Sequence, residues 1–188
     1  ILDQNQETYF EVDKEVNLVQ ADLDFGITRK GNMFSRKWRF RKHLSALNKI
    51  VKSLAPDFLI CTEYHFATAA VLCGAGKYTR IFSWEHHHYR AQFRNMFWEM
   101  LFKFAYRKLD AVVCLNPDEK DYYQSINKKT VVIPNFIDPP ATGIQVNNKS
   151  FDLITVTRFN RIKGIDLLMR TAKLLFTKRT GIRWKLIG

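Results

Sequence analysis

The run Ala111-Val112-Val113-Cys114-Leu115 leads straight into Asn116-Pro117-Asp118-Glu119, and this junction constrains the fold more than any other stretch. A continuous apolar run, without the alternation of a half-exposed strand, suits a strand buried on both faces of a parallel sheet. The residues after it form a helix start, with Asn at the N-cap, Pro at the first helical position, acids in the first turn and Glu three residues past the cap. Parallel strands need such crossovers, because a tight hairpin cannot join them. The same alternation recurs along the chain. Strands are expected over Asp57 to Thr62, after the turn signal Ala55-Pro56-Asp57, and over Arg80 to Trp84, after Gly74-Ala75-Gly76. Further strands are expected over Val131 to Pro134, Phe151 to Thr157 and Arg183 to Ile187. Helical spacing links Phe40, Leu44, Leu47, Val51 and Leu54, then Phe93, Met96, Phe97, Met100, Leu101, Phe104 and Leu109, and then Ile165, Leu167, Leu168, Ala172 and Leu175. The fold class is therefore α/β, a doubly wound parallel architecture.

One stretch reads as a linker. Pro139-Pro140-Ala141-Thr142-Gly143 through Asn147-Asn148-Lys149-Ser150 is polar and rich in turn formers. It sets the expected domains at 1–145 and 146–188. The second holds only strand, helix and strand, which leaves sheet edges and apolar faces uncovered and is too small to fold alone. The expectation is a fragment, most of one domain lacking its start and the truncated opening of the next. Hydrophobic content of 46% and aromatic content of 14% argue for a folded core and against disorder. No apolar run reaches the length of a membrane span, and the acids Asp3, Glu7, Glu11, Asp13 and Glu15 stand where a secretory leader would be basic and then apolar. Cys61, Cys73 and Cys114 have neither metal-ligand spacing nor an even count, and read as reduced core thiols of a cytosolic protein.

The net charge of +12 is unevenly placed. Residues 1–25 carry seven acids against one lysine, whereas Ile27 to Lys52 carry nine Lys/Arg and no acid. Within that stretch Phe34-Ser35-Arg36-Lys37-Trp38-Arg39-Phe40-Arg41-Lys42 interleaves aromatics with five cations. Such a helix fits an anionic bilayer surface through Arg36, Lys37, Arg39, Arg41 and Lys42, and equally fits a solvated face on a packed helix. A basic nucleic-acid-binding α/β module without catalytic activity is the alternative class. It would need a recognisable reading motif, and none is found, so no nucleic-acid partner is expected. No Gly-x-Gly-x-x-Gly or Walker-type loop occurs either.

Two segments carry the chemistry. Phe151–Thr157 is followed by Arg158-Phe159-Asn160-Arg161-Ile162-Lys163-Gly164, which places two long cations, Arg158 and Lys163, in a strand-to-helix loop. Phosphorylated ligands bind at such sheet mouths, helped by the positive end of the next helix. Upstream stands Val131-Val132-Ile133-Pro134-Asn135-Phe136-Ile137-Asp138, in which Asn135 and Asp138 read as hinge residues. Together the two segments resemble the retaining glycosyltransferases of family 4, two-domain enzymes of the GT-B fold. In that family an "iPNgiD"-like segment closes the N-terminal domain and an "R…KG" segment opens the nucleotide-sugar domain. Both occur here in that order, with a short linker between them.

The resemblance implies a GT-B architecture, with a Rossmann-like N-terminal acceptor domain and the start of a C-terminal nucleotide-sugar domain. It implies a retaining hexosyltransferase, with the fragment alone inactive, that moves a sugar from a nucleotide-diphosphate donor to a glycan acceptor, lipid-linked, in polysaccharide or glycolipid biosynthesis. Arg158, Lys163 and Gly164 would then hold the donor diphosphate, with two fixed cations in place of a metal, so neither metal nor other cofactor is expected. Members acting on lipid-linked glycans have a "wEH" segment, matched here by Trp84-Glu85-His86, facing the interdomain cleft. Glu85 and His86 are accordingly the catalytic candidates: the imidazole would hydrogen-bond the transferred sugar and the carboxylate would orient a hydroxyl or the imidazole. The run His86-His87-His88 suggests a metal at first sight, but alternate residues of an extended segment face opposite sides and no clear third ligand stands nearby. Glu63, after the first strand, reads as a surface acid. Localisation follows as cytoplasmic or peripheral at the inner face of the plasma membrane.

Overall fold

The computed structural model describes residues 12–19, 21, 23, 33–92, 94–136, 152–159 and 163–188; for residues 33–37, 91 and 152 it describes the backbone alone. The chain divides into two compact units, Ile1–Phe136 and Ile137–Gly188. The linker read over 139–150, and Asp138, lie outside the described residues.

The first unit is built on four parallel strands, β1 (Phe58–Cys61), β2 (Arg80–Trp84), β3 (Ala111–Cys114) and β4 (Thr130–Val132), in the spatial order β1-β2-β3-β4. Its helices are α1 (Met33–Leu54), α2 (Tyr64–Leu72), α3 (Met96–Tyr106) and α4 (Pro117–Gln124). Right-handed crossovers between strands that advance in one direction put their helices on one face of the sheet. The core lies on that face. Leu59 and Cys61 of β1, Ile81 of β2 and Val112 and Cys114 of β3 pack there against Leu47 and Val51 of α1, Ala67, Ala69 and Ala70 of α2, Phe102 and Tyr106 of α3 and Tyr123 of α4. The register pairs Leu59 with Ile81, Cys61 with Ser83, and Ser83 with Val112, so one row of side chains crosses the sheet toward the helices. The opposite row carries Phe58, Ile60, Phe82, Trp84 and Val131, of which Phe58, Ile60 and Val131 are exposed.

Local chemistry sets the element ends. The Asn116 side chain accepts from the Glu119 N–H at 3.0 Å and Pro117 occupies the first turn, which starts α4 where the sequence marks it. α3 begins later than its apolar spacing suggests, at Met96, because Asn95 caps it by accepting from the Trp98 N–H at 3.0 Å. Between β2 and that cap Tyr89–Ala91 form a single 3-10 turn. α2 has no polar face to mark it in the sequence, since Ala67, Thr68, Ala69 and Ala70 are all buried. The helical spacing of the α3 run leaves open which side is buried, and the structure decides it: Phe102, Ala105 and Tyr106 point in, while Met96, Phe97, Met100 and Phe104 point out. Fully apolar helical stretches have this ambiguity, because periodicity alone does not say which stripe is buried.

The second unit is a single βαβ. Strand β5 (Asp152–Val156) pairs in parallel with β6 (Arg183–Ile187) through α5 (Ile165–Lys178). The Trp184 indole N–H donates to Thr155 Oγ1 at 2.9 Å across the two strands. α5 has no fully buried residue, and Leu167, Met169, Leu174 and Phe176 are exposed.

Candidate functional site

Strand alternation explains where the Glu85 and His86 side chains go. Ile81 and Ser83 face the core, so Glu85, two residues on, follows them inward, while Trp84 and His86 follow Phe82 to the other side. The Glu85 N–H still donates to the Val113 carbonyl at 2.9 Å, which carries the strand geometry one residue past β2. Glu85 is 1% exposed, a buried carboxylate at the carboxyl end of the sheet. Hydroxyls and an amide take the place of water around it. Oε1 accepts from Ser83 Oγ at 2.5 Å and from the Tyr106 hydroxyl, and Oε2 accepts from Gln92 Nε2 at 3.2 Å and the Tyr123 hydroxyl at 3.4 Å. Burial, and then the Glu85 charge, push both tyrosine hydroxyls up, Tyr106 well above its ordinary value. Each therefore stays a proton donor to the carboxylate.

The cage continues outward from Gln92. Its amide N–H group also donates to the His87 carbonyl at 3.2 Å, and its oxygen accepts from the Arg94 guanidinium. Arg94, whose side chain is nearly buried, donates to Glu99 Oε2 at 2.8 Å and to the Tyr122 hydroxyl at 3.0 Å, and lies over the Phe102 ring at 3.9 Å. Burial opposes charge on Glu99, but the Arg94 and Lys103 partners outweigh it and hold its carboxyl below the usual range. Loop 85–92, which bears the three histidines, is thus pinned at its start by Glu85 and at its end by Gln92 and Arg94.

The three imidazoles diverge. His86 is exposed and stacks on Trp84, with ring centroids 5.9 Å apart and planes 15° from parallel. His87 Nε2 lies 3.3 Å from Glu63 Oε1, and His88 Nδ1 accepts from the Arg90 N–H at 3.2 Å. Among the described residues no group of three His, Cys, Asp or Glu side chains is arranged to hold a metal ion. Glu63, read in the sequence as a surface acid, joins two of the strand-end loops, since its other oxygen lies 3.4 Å from His65 Nδ1. Burial lowers the His65 pKa, and Glu63 offsets part of that. This partnership was hidden in the sequence, because Glu63 and His87 follow different strands that only the parallel pairing brings side by side.

In the second unit Arg158 follows the carboxyl end of β5, and Lys163 and Gly164 stand immediately before α5. Both cations are exposed. Gly164 is the N-cap residue of α5 at φ 67°, a left-handed conformation that strains any residue with a β-carbon. Its carbonyl accepts from the Leu168 N–H at 2.9 Å and opens the helix. The first-turn N–H groups of α5, which have no intrahelical acceptor, and the two cations thus flank the β5–α5 connection at its described ends. Gly188, at the end of β6, lies so near that turn that a β-carbon on it would stand 1.9 Å from the Thr157 carbonyl oxygen. Arg161 lies outside the described residues. A groove lined in part by Arg41, Asn48, Lys77 and Tyr78 lies at the opposite, amino end of the first sheet, away from Glu85 and His86.

The family model described as Glycosyltransferase Family 4 matches residues 8–140. No curated protein matches the chain. Among solved structures, the apo form of the lipopolysaccharide outer core galactosyltransferase WaaB is similar in fold, with a TM-score of 0.53 and 20% identity. The similarity covers 83% of this chain and 43% of that one, so the chain spans less than half the length of this solved structure.

Proposed function

The chain belongs to Glycosyltransferase Family 4, and on that premise we propose that it takes part in sugar transfer from a nucleotide-diphosphate donor to a glycan acceptor, lipid-linked, in cell-surface polysaccharide or glycolipid synthesis. Its four-stranded parallel sheet is a Rossmann-like domain of the GT-B type. One observation supports the donor assignment: Arg158 follows the carboxyl end of β5, while Lys163 and the left-handed Gly164 stand immediately before α5. Arg offers a planar fork of donors, Lys a compact charge and the helix N-terminus its free N–H groups, which together suit a diphosphate. In the reaction they would stabilise the charge that develops on the departing nucleotide. Retention of anomeric configuration is part of the proposal, with the leaving phosphate assisting acceptor deprotonation on the same face.

Glu85 and His86 take different parts in this reading. Shielded from solvent and saturated by donors, Glu85 serves as a positioning residue that fixes loop 85–92. His86, exposed at the carboxyl end of β2, is the group we assign to the transferred sugar as a hydrogen-bonding partner. No helix among the described residues is long and apolar enough to cross a membrane. As part of this proposal, a lipid-linked acceptor is met at the cytoplasmic side, with the basic run of α1 against an anionic leaflet. Arg39, Arg41 and Lys42 belong to that run, while the side chains of Arg36 and Lys37 lie outside the described ones.

The test separates phosphate from nucleoside recognition. Calorimetry with a nucleoside diphosphate and with the bare nucleoside should show that Arg158→Ala and Lys163→Ala each weaken the diphosphate about tenfold or more, as loss of a charge-assisted hydrogen bond implies. The bare nucleoside should bind all three proteins alike. Equal diphosphate affinity for the three would remove the assignment.

A further inference from the structure

The outer face of α3 is unlike a solvated helix surface. Met96, Phe97, Met100 and Phe104 are 90, 59, 61 and 46% exposed and, at spacings of three and four residues, line one stripe. The helix does not lack a core, since Phe102, Ala105 and Tyr106 fill its other side. Nor does the stripe resemble the exposed Phe58, Ile60 and Val131, which lie on a sheet face where a second layer could pack; it points away from the sheet altogether. Cations rim it. Lys103 is a turn past Met100, Lys108 Nζ lies 4.4 Å over the Phe104 ring, and Arg107 lies a turn past Lys103 and next to Lys108. The one carboxylate of α3, Glu99, is shared between Arg94 and the rim's Lys103, so it offsets the rim only in part and the margin stays net positive through Arg107 and Lys108. α1 meets α3 through an edge-to-face contact of Phe40 with Trp98, and it carries the 67% exposed Trp38. α1 itself carries seven Lys/Arg and no acid.

From this pattern we infer that the outer face of α3 docks in the interface of an anionic bilayer, with Met96, Phe97, Met100 and Phe104 among the upper acyl chains and Lys103, Arg107 and Lys108 at the headgroups. Apolar and basic groups on one helix, with the cations at the margin of the stripe, match that boundary, where flexible Met and Phe side chains displace water and Lys and Arg reach back to phosphate. The charge decides between occupants. A second copy of this chain would present the same basic rim to itself, whereas an anionic leaflet neutralises it. The inference extends the membrane contact proposed for the basic run of α1, and it does not depend on the donor assignment, because its test reads binding and not transfer.

The experiment is co-sedimentation of the protein with vesicles of phosphatidylcholine, with or without about a third anionic lipid, together with methionine oxidation footprinting. In the unaltered protein, Met96 and Met100 should oxidise readily in buffer and be protected by anionic vesicles, while the exposed Met169 of the second unit reacts equally in both. Neutralising Lys103, Arg107 and Lys108 to Gln should lower partitioning roughly 100-fold, at about fivefold per cation, and high salt should mimic it. Changing Met96, Phe97, Met100 and Phe104 to Ser should lower it by about 100-fold or more while leaving the salt dependence in place. A parallel variant with Arg39, Arg41 and Lys42 changed to Gln tests α1 alone: loss there with α3 variants unaffected would overturn the α3 assignment and leave the α1 contact standing. Slow oxidation of Met96 and Met100 in buffer at every protein concentration would mean that the chain covers the stripe itself. Oxidation that slows only as protein concentration rises would mean a second copy does. Either result overturns the inference, and so does equal oxidation with and without anionic vesicles.

Discussion

Replacing Glu85 probes the packing logic of the whole site. In Glu85→Ala the Ser83 and Tyr106 hydroxyls, 3.0 Å apart, still satisfy one another. Gln92 keeps its bond to the His87 carbonyl, and the Tyr123 hydroxyl loses a long contact of 3.4 Å. What is lost is charge assistance to at least two close donors, plus a cavity of a few heavy atoms beside Tyr106. A buried hydrogen bond to a charged group is worth about 1.5–3 kcal/mol, against several kcal/mol regained by not burying a carboxylate. With the cavity added, the net is a loss of about 3 kcal/mol. Glu85→Gln keeps the shape. Because Arg94 holds the Gln92 oxygen, the Gln92 N–H group must keep donating, so the new amide oxygen turns to it and the new N–H group meets the Ser83 and Tyr106 hydroxyls, which rotate to accept. That variant should lose only about 1 kcal/mol. Urea unfolding followed by far-ultraviolet circular dichroism measures both. Glu85→Ala within 1 kcal/mol of the unaltered protein, or Glu85→Gln less stable than Glu85→Ala, would refute the cage.

Other predictions follow from the same structure. Burial pushes the Cys61 thiol up to about 12, so at pH 8.5 it should resist iodoacetamide until the first unit unfolds, and its labelling rate should track urea unfolding. Ala55, at φ 41° after the end of α1, occupies a left-handed position that favours glycine; Ala55→Gly should raise the unfolding free energy measured in urea by up to about 1 kcal/mol. Gly164→Ala should cost about 1 kcal/mol or more in the same measurement, and should weaken nucleoside diphosphate binding alongside Arg158→Ala. The depressed His65 pKa means that the unfolded chain takes up this proton more readily than the folded one. Its contribution is therefore intact above the ordinary histidine value and lost as pH falls through the folded value, and His65→Gln should flatten stability between about pH 7 and 5.

Much of the first unit is legible from local chemistry. The apolar strands and the Asn116-Pro117 helix start mark β3 and α4 without reference to the rest of the chain. α2 is less legible, because a helix buried around most of its circumference has no polar face to mark its period. Glu85 was legible as a candidate but not in its surroundings. Strand alternation past Ile81 and Ser83 could have indicated that it points inward, yet its donors Tyr106 and Tyr123 come from α3 and α4, which only the folded crossovers bring to it. The three histidines show the same limit: adjacency in sequence suggested a cluster, and the folded loop sends each ring to a different partner. The outer stripe of α3 shows the same limit, since composition gives a helix two apolar faces without saying which one the sheet takes.

Sugar transfer itself is the most direct measurement of the proposed function. The whole protein is incubated with nucleotide-diphosphate sugars and lipid-linked glycan acceptors, and the anomeric configuration of the product is read by proton NMR. Transfer with retained configuration is expected. Arg158→Ala and Lys163→Ala should each lower kcat/KM for the donor by about 100-fold or more, as removal of electrostatic stabilisation from a leaving group does. His86→Ala should lower kcat in the same assay. Inverted product, or transfer that survives the double replacement of Arg158 and Lys163 undiminished, would overturn the proposed function.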